Sequence, residues 1–81
     1  MKVNVRLFAA LPDLLGRREL SLELADGATA SDLREQITRE YPQVTPFVTT
    51  LVCAIDEEFV EWDSVLSEGD EVSLIPPVSG G

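Results

Sequence analysis

Apolar and polar residues alternate from the start of the chain. Val3, Val5, Leu7 and Ala9 fall on one side of an extended backbone, and Lys2, Asn4, Arg6 and Phe8 on the other. A period of two sustained over Lys2–Ala9 predicts a strand with one buried face. Alternation resumes over Glu19–Leu24, where Leu20, Leu22 and Leu24 point one way and Glu19, Ser21 and Glu23 the other. Between these strands, Leu11–Gly16 predicts a turn or short helix. Pro12 stands where a helix start has no use for its N–H, and Gly16 supplies a stop.

The period then changes. Asp26-Gly27 predicts a turn, and Thr29-Ala30-Ser31-Asp32 has the reciprocal spacing of a capping box, with the shorter Asp at the third position. Ala30, Leu33, Ile37 and Tyr41 recur at helical spacing, Glu35 and Arg39 form an i,i+4 pair on the outer face, and Pro42 closes the segment. Leu51–Ile55 is a short apolar run of β-formers, predicted as a buried strand. Asp56–Glu58 predicts a turn into a brief strand around Phe59–Trp62. Glu68-Gly69-Asp70 predicts another turn, and Glu71–Ile75 a last strand with Val72 and Leu74 inward. Pro76-Pro77 ends it, because proline cannot donate to a ladder.

Two strands, one long helix and two or three further strands predict an α+β fold in two layers, since one helix covers only one face of a sheet. The order is that of the β-grasp (ubiquitin-like) roll, a mixed sheet with one main helix packed on one face. The expected division is a β-grasp domain over residues 1–76 and an extended C-terminal tail over 77–81. At 81 residues, 44% of them hydrophobic, the chain has the composition for one small core. Leu7–Leu11 is too short for the apolar centre of a signal peptide, and two prolines break Tyr41–Ile55, the longest uncharged stretch. With one unpaired cysteine, a cytoplasmic setting with no membrane partner is expected.

Charge and residue types narrow the chemistry. The net charge is −9, and residues 41–81 carry eight acids with no Lys or Arg, while all six basic residues lie before position 40. Such an acidic half repels phosphate backbones, which argues against nucleic acid, and steers the chain toward a basic partner; its plainer role is a solvated face. One cysteine and no histidine exclude a disulfide framework, a cysteine-rich metal site, an imidazole ligand and Ser-His-Asp or Cys-His catalysis within the chain. Asp56, Glu57, Glu58, Glu61 and Asp63 lack the spacing of a calcium loop and read as a solvated turn, so no bound metal or cofactor is expected. Cys53, between Val52 and Ala54, reads as a small buried hydrophobe; a persulfide-carrying thiol is the functional alternative. No self-contained active site emerges.

The last residues are different. Pro76-Pro77 biases the backbone toward a stiff, extended conformation, and Gly80-Gly81 brings no Cβ, so the segment suits a narrow channel and leaves a carboxyl open to attack. Val72-Ser73-Leu74-Ile75-Pro76-Pro77-Val78-Ser79-Gly80-Gly81 resembles the terminus of the small, sulfur-carrier subunits of molybdopterin synthase, the MoaD family. The opening strand running into Phe8-Ala9 and the Glu68–Val72 turn and strand extend the resemblance over the whole chain. Asp56 stands where that family favours Asn, and both residues tolerate turn geometry.

This resemblance implies a non-catalytic sulfur-donor subunit of a heterotetrameric enzyme in molybdenum cofactor biosynthesis. An ATP-using, E1-like partner would adenylate the Gly81 carboxylate, and a persulfide sulfur donor would convert it to a thiocarboxylate. The tail (Pro77, Val78, Ser79, Gly80) would then enter the large subunit's active site and give its sulfur to cyclic pyranopterin monophosphate. Alternatives are sulfur carriage for thiamine or tRNA thiolation, protein modification, and an interaction module with an inert tail. Pro-Pro-Val-Ser before Gly-Gly favours the first reading, and Lys2, the only lysine, would make a poor chain-builder. Strand parity places Phe8 and Ile75 on otherwise polar faces of neighbouring strands, with Phe59 as a third member. Phe8, Phe59 and Ile75 are therefore expected to form an apolar docking surface for the large subunit and the adenylating enzyme, rimmed by the acidic second half.

Overall fold

The computed structural model describes residues 1–76; Pro77, Val78, Ser79, Gly80 and Gly81 lie outside the described residues. Strand β1 (Lys2–Leu7) pairs antiparallel with β2 (Glu19–Glu23), Val3 opposite Leu22 and Val5 opposite Leu20, so the aliphatic rows of both strands share one buried face. Between them, α1 (Leu11–Leu15) ends at Gly16, whose φ of 76° lets its N–H reach the Pro12 carbonyl at 2.9 Å. β1 stops two residues short of the predicted end. Ala9 adopts a left-handed φ of 56°, which turns the chain into α1 and leaves Ala9 exposed instead of extending the inward row.

Helix α2 (Ala30–Glu40) begins at the predicted capping box. Thr29 Oγ1 accepts the Asp32 N–H at 3.2 Å, and Asp32 Oδ2 accepts the Thr29 N–H at 2.9 Å. Ala30, Leu33 and Ile37 are buried, while Tyr41 is half-buried at the C-cap. Glu35 and Arg39 both face solvent, but no ion pair joins them; the i,i+4 contact that forms runs from Gln36 Nε2 to Glu40 Oε2 at 3.0 Å. After Pro42 the chain enters a 3-10 helix, Pro42–Phe47, which buries Val44.

Strands β3 (Val52–Ile55) and β4 (Glu58–Val60) form a hairpin, so β4 is shorter and earlier than the predicted Phe59–Trp62. Strand β5 (Glu71–Ile75) lies between β1 and β3, parallel to the first and antiparallel to the second, giving the order β2-β1-β5-β3-β4. This mixed sheet with α2 on one face is the β-grasp arrangement. Val3, Val5, Leu20, Leu22, Val72 and Leu74 meet Leu33 and Ile37 in one core. Each such buried aliphatic contributes on the order of 1.5–3 kcal/mol. Among the described residues, no helix covers the other face of the sheet.

Candidate docking face and the root of the tail

The open face is built by register. β1 and β5 pair in parallel with Leu7 beside Leu74, and the Phe8 N–H still donates to the Leu74 carbonyl at 3.3 Å, which sets Phe8 beside Ile75. Ile75 is opposite Val52 of β3, so Phe8, Ile75 and Val52 form one row. In the adjoining row, Arg6 lies beside Ser73, Ser73 is opposite Ala54, and Ala54 is opposite Phe59.

Phe59 is 74% exposed, Phe8 42% and Val52 36%, while Ile75 is half-buried. Ala54 is only 4% exposed although it belongs to the open face and not to the core, because larger neighbours flank its small side chain. The three residues expected from the sequence thus share one face, with Phe8 and Ile75 adjacent and Phe59 joined to them through Ala54 and Val52. Those two linking residues have no alternating neighbours to announce them, since Leu51–Ile55 is apolar throughout.

Charge borders the apolar rows. Arg6 Nε stands 3.5 Å from Glu19 Oε1 and 3.8 Å from Glu71 Oε1, a cation held loosely between two exposed acids. One open groove beside it is lined by Phe8, Ala9, Pro12 and Arg18, another by Asp56, Glu57, Glu71 and Ser73. Asp56 and Glu57 form the two-residue turn between β3 and β4 with φ values of 49° and 72°. Among the described residues no three His, Cys, Asp or Glu side chains converge as a metal site requires.

Cys53 points into the core, and burial pushes its thiol up to about 11 from an ordinary 9.0. At neutral pH it stays a protonated, inaccessible thiol, the opposite of what a sulfur-transferring cysteine needs. The central strand β5 ends at Ile75, beside the apolar rows, and Pro76 after it is buried.

A family model described as the ThiS family matches residues 5–81. The chain belongs to the ThiS family. A relative from Chlamydomonas reinhardtii, described as a molybdopterin synthase sulfur carrier subunit, is 39% identical over an alignment of 83 residues that covers all of both chains. A solved structure from Pyrococcus furiosus, described as a putative molybdopterin converting factor subunit 1, is 31% identical with a TM-score of 0.87, covering 96% of this chain and 99% of that one. A Helicobacter pylori chain, solved in a complex of subunits 1 and 2 of molybdopterin-converting factor, shares the fold at 24% identity and a TM-score of 0.72 over the full length of both. No described helix of this ThiS-family chain is long and apolar enough to cross a membrane.

Proposed function

We propose that this chain carries sulfur for molybdopterin synthesis, with the C-terminal carboxyl of Gly81 as the reacting group. The observation that carries the reading is its end-to-end likeness to a sulfur carrier subunit in a sequence that closes on Gly80-Gly81. The Gly81 carboxylate attacks ATP held by an E1-like enzyme, and pyrophosphate leaves. The outer sulfur of a persulfide donor displaces AMP from the acyl adenylate to give an acyl disulfide. A thiol then cleaves its S–S bond, forming a disulfide with the donor's own sulfur and leaving a thiocarboxylate. Pro77, Val78, Ser79 and Gly80 thread the large subunit's active site, where the thiocarboxylate gives its sulfur to a cyclic pyranopterin.

The large subunit seats on the face formed by Phe8, Ile75 and Phe59. ATP and the catalytic groups belong to partners in the cytoplasm, which accords with a chain that has no histidine and whose one thiol is buried. Incubation with the adenylating enzyme, ATP, a persulfide donor and a thiol, read by intact mass, is expected to exchange one carboxyl oxygen for sulfur. A chain lacking Gly81 should stay unchanged. Sulfur loading of that truncated chain, or a folded Cys53→Ala variant that takes up none, overturns the reading.

A further inference from the structure

The two edges of the sheet are not equivalent. The Leu7 N–H donates to the Arg18 carbonyl at 2.9 Å and the Leu24 N–H to the Met1 carbonyl at 2.8 Å, which fixes the even-numbered residues of β2 as those facing β1. The backbone groups of Glu19, Ser21 and Glu23 therefore point away from the sheet, and all three residues are exposed. Gln36 Nε2 reaches the Glu23 carbonyl at 3.4 Å. Among the described residues, this leaves the N–H and C=O of Glu19 and Ser21, and the N–H of Glu23, in one extended row without a hydrogen-bond partner. The other edge, β4, is three residues long and by the same alternation turns only Phe59 outward.

An open edge is a template for another strand, and its side chains decide which strand. At one end of β2, Glu23 and Asp26 stand 3.8 and 3.7 Å from the Met1 ammonium, and the neighbouring groove is lined by Asp32, Glu35, Gln36 and Arg39. At the other end lie the exposed Arg17 and Arg18, with Arg6 paired to Glu19. The edge is therefore negative at its Glu23 end and positive at its Arg17 end. A second copy of this chain paired antiparallel about Ser21 would set Glu19 against Glu23 on both sides, a like-charge pairing that disfavours self-association.

We infer that the β2 edge is a docking site for an extended segment of a partner protein that adds as a sixth strand. That segment carries Lys or Arg where it meets Glu23 and Asp26, a small residue beside Ser21, and no basic residue against Arg17 and Arg18. The site lies at the opposite edge of the sheet from Phe59 and does not depend on the sulfur-carrier reading.

The probe is a synthetic nine-residue peptide of alternating valine and threonine with two lysines at one end, titrated into the isotope-labelled full chain. Amide exchange at Glu19, Ser21 and Glu23 is expected to slow at least tenfold, with Leu20 and Leu22, already in the ladder, little changed. The same peptide with glutamates for lysines should bind at least tenfold more weakly. Ser21→Pro removes an outward N–H without touching the β1 ladder and should abolish binding, whereas Ser21→Thr should keep it. Glu23→Lys, which leaves the backbone intact, should weaken the lysine peptide in any case. Equal binding of the two peptides, protection centred on Phe8 and Phe59, no binding at all, or protection of these amides by concentration alone (a second copy as occupant) overturns the inference.

Discussion

At the scale of single residues, the backbone shows where sequence and conformation disagree. Asp56 and Glu57 both occupy the left-handed region in a two-residue hairpin turn, where Asn-Gly or Asp-Gly fits without steric cost. Asp tolerates that region, but the Cβ of Glu57 crowds its neighbouring carbonyl by roughly 1–2 kcal/mol. Glu57→Gly should therefore raise stability by about 1 kcal/mol after glycine's extra unfolded-state entropy is subtracted, measurable by urea denaturation. A destabilised variant would mean that the Glu57 side chain holds the turn. Cys53 supplies a pH-dependent case. Its folded pKa of about 11 lies above the ordinary 9.0, so the unfolded chain releases the proton first. The thiol's contribution is fully present below pH 9 and is lost as pH rises to about 11, amounting to about 2–3 kcal/mol at most. Cys53→Val should lose less stability over that window than the parent chain, read by denaturation at several alkaline pH values. Parallel curves for the two proteins would refute the assignment.

At the scale of elements, α2 depends on its first turn. The Thr29–Asp32 box satisfies two N–H groups that an 11-residue helix would otherwise leave to water. Thr29→Ala should cost about 1 kcal/mol of global stability, since α2 supplies Leu33 and Ile37 to the core, and Thr29→Ser should restore most of it. A loss confined to local fraying, seen as fast amide exchange in the first turn at unchanged melting temperature, would show the helix start to be independent of the core. The same box was legible in the sequence because its signal is local. So were β1, β2 and β5, whose alternation comes from one buried face each. The 3-10 helix at Pro42–Phe47 was not legible: two prolines in six residues read as a breaker, and a single buried side chain, Val44, gives no period. Ala9 continues the alternation of β1 on paper, yet a left-handed turn toward α1 removes it from the strand. The order β2-β1-β5-β3-β4 follows from an order of elements, but the linking roles of Val52 and Ala54 follow only from register.

At the scale of the whole molecule, the sheet has one face sealed by α2 and one that no helix covers among the described residues. Phe8, Ile75 and Val52 in one row, and Ala54 and Phe59 in the next, give the open face a contiguous apolar area beside the point where the central strand ends. Single exposed apolar residues are ordinary; their contiguity is what supports the docking face proposed above. Sequence parity was enough to put Phe8, Phe59 and Ile75 on one face of the sheet, because each interrupts a polar row. The members differ in what they do for the fold. Ile75 is half-buried, so a charge there strikes stability and docking together. Phe59 and Phe8 are exposed enough to separate the two effects. Phe59→Asp and Phe8→Asp should each weaken association with a molybdopterin synthase large subunit at least tenfold, the size expected for losing a buried aromatic anchor of roughly 1.4 kcal/mol or more. The melting temperature should move by no more than about 2 °C, a surface-sized effect. Calorimetric titration and thermal unfolding of the same samples decide the matter: unchanged affinity removes the docking face, and a melting temperature that falls in step with affinity returns these side chains to the core.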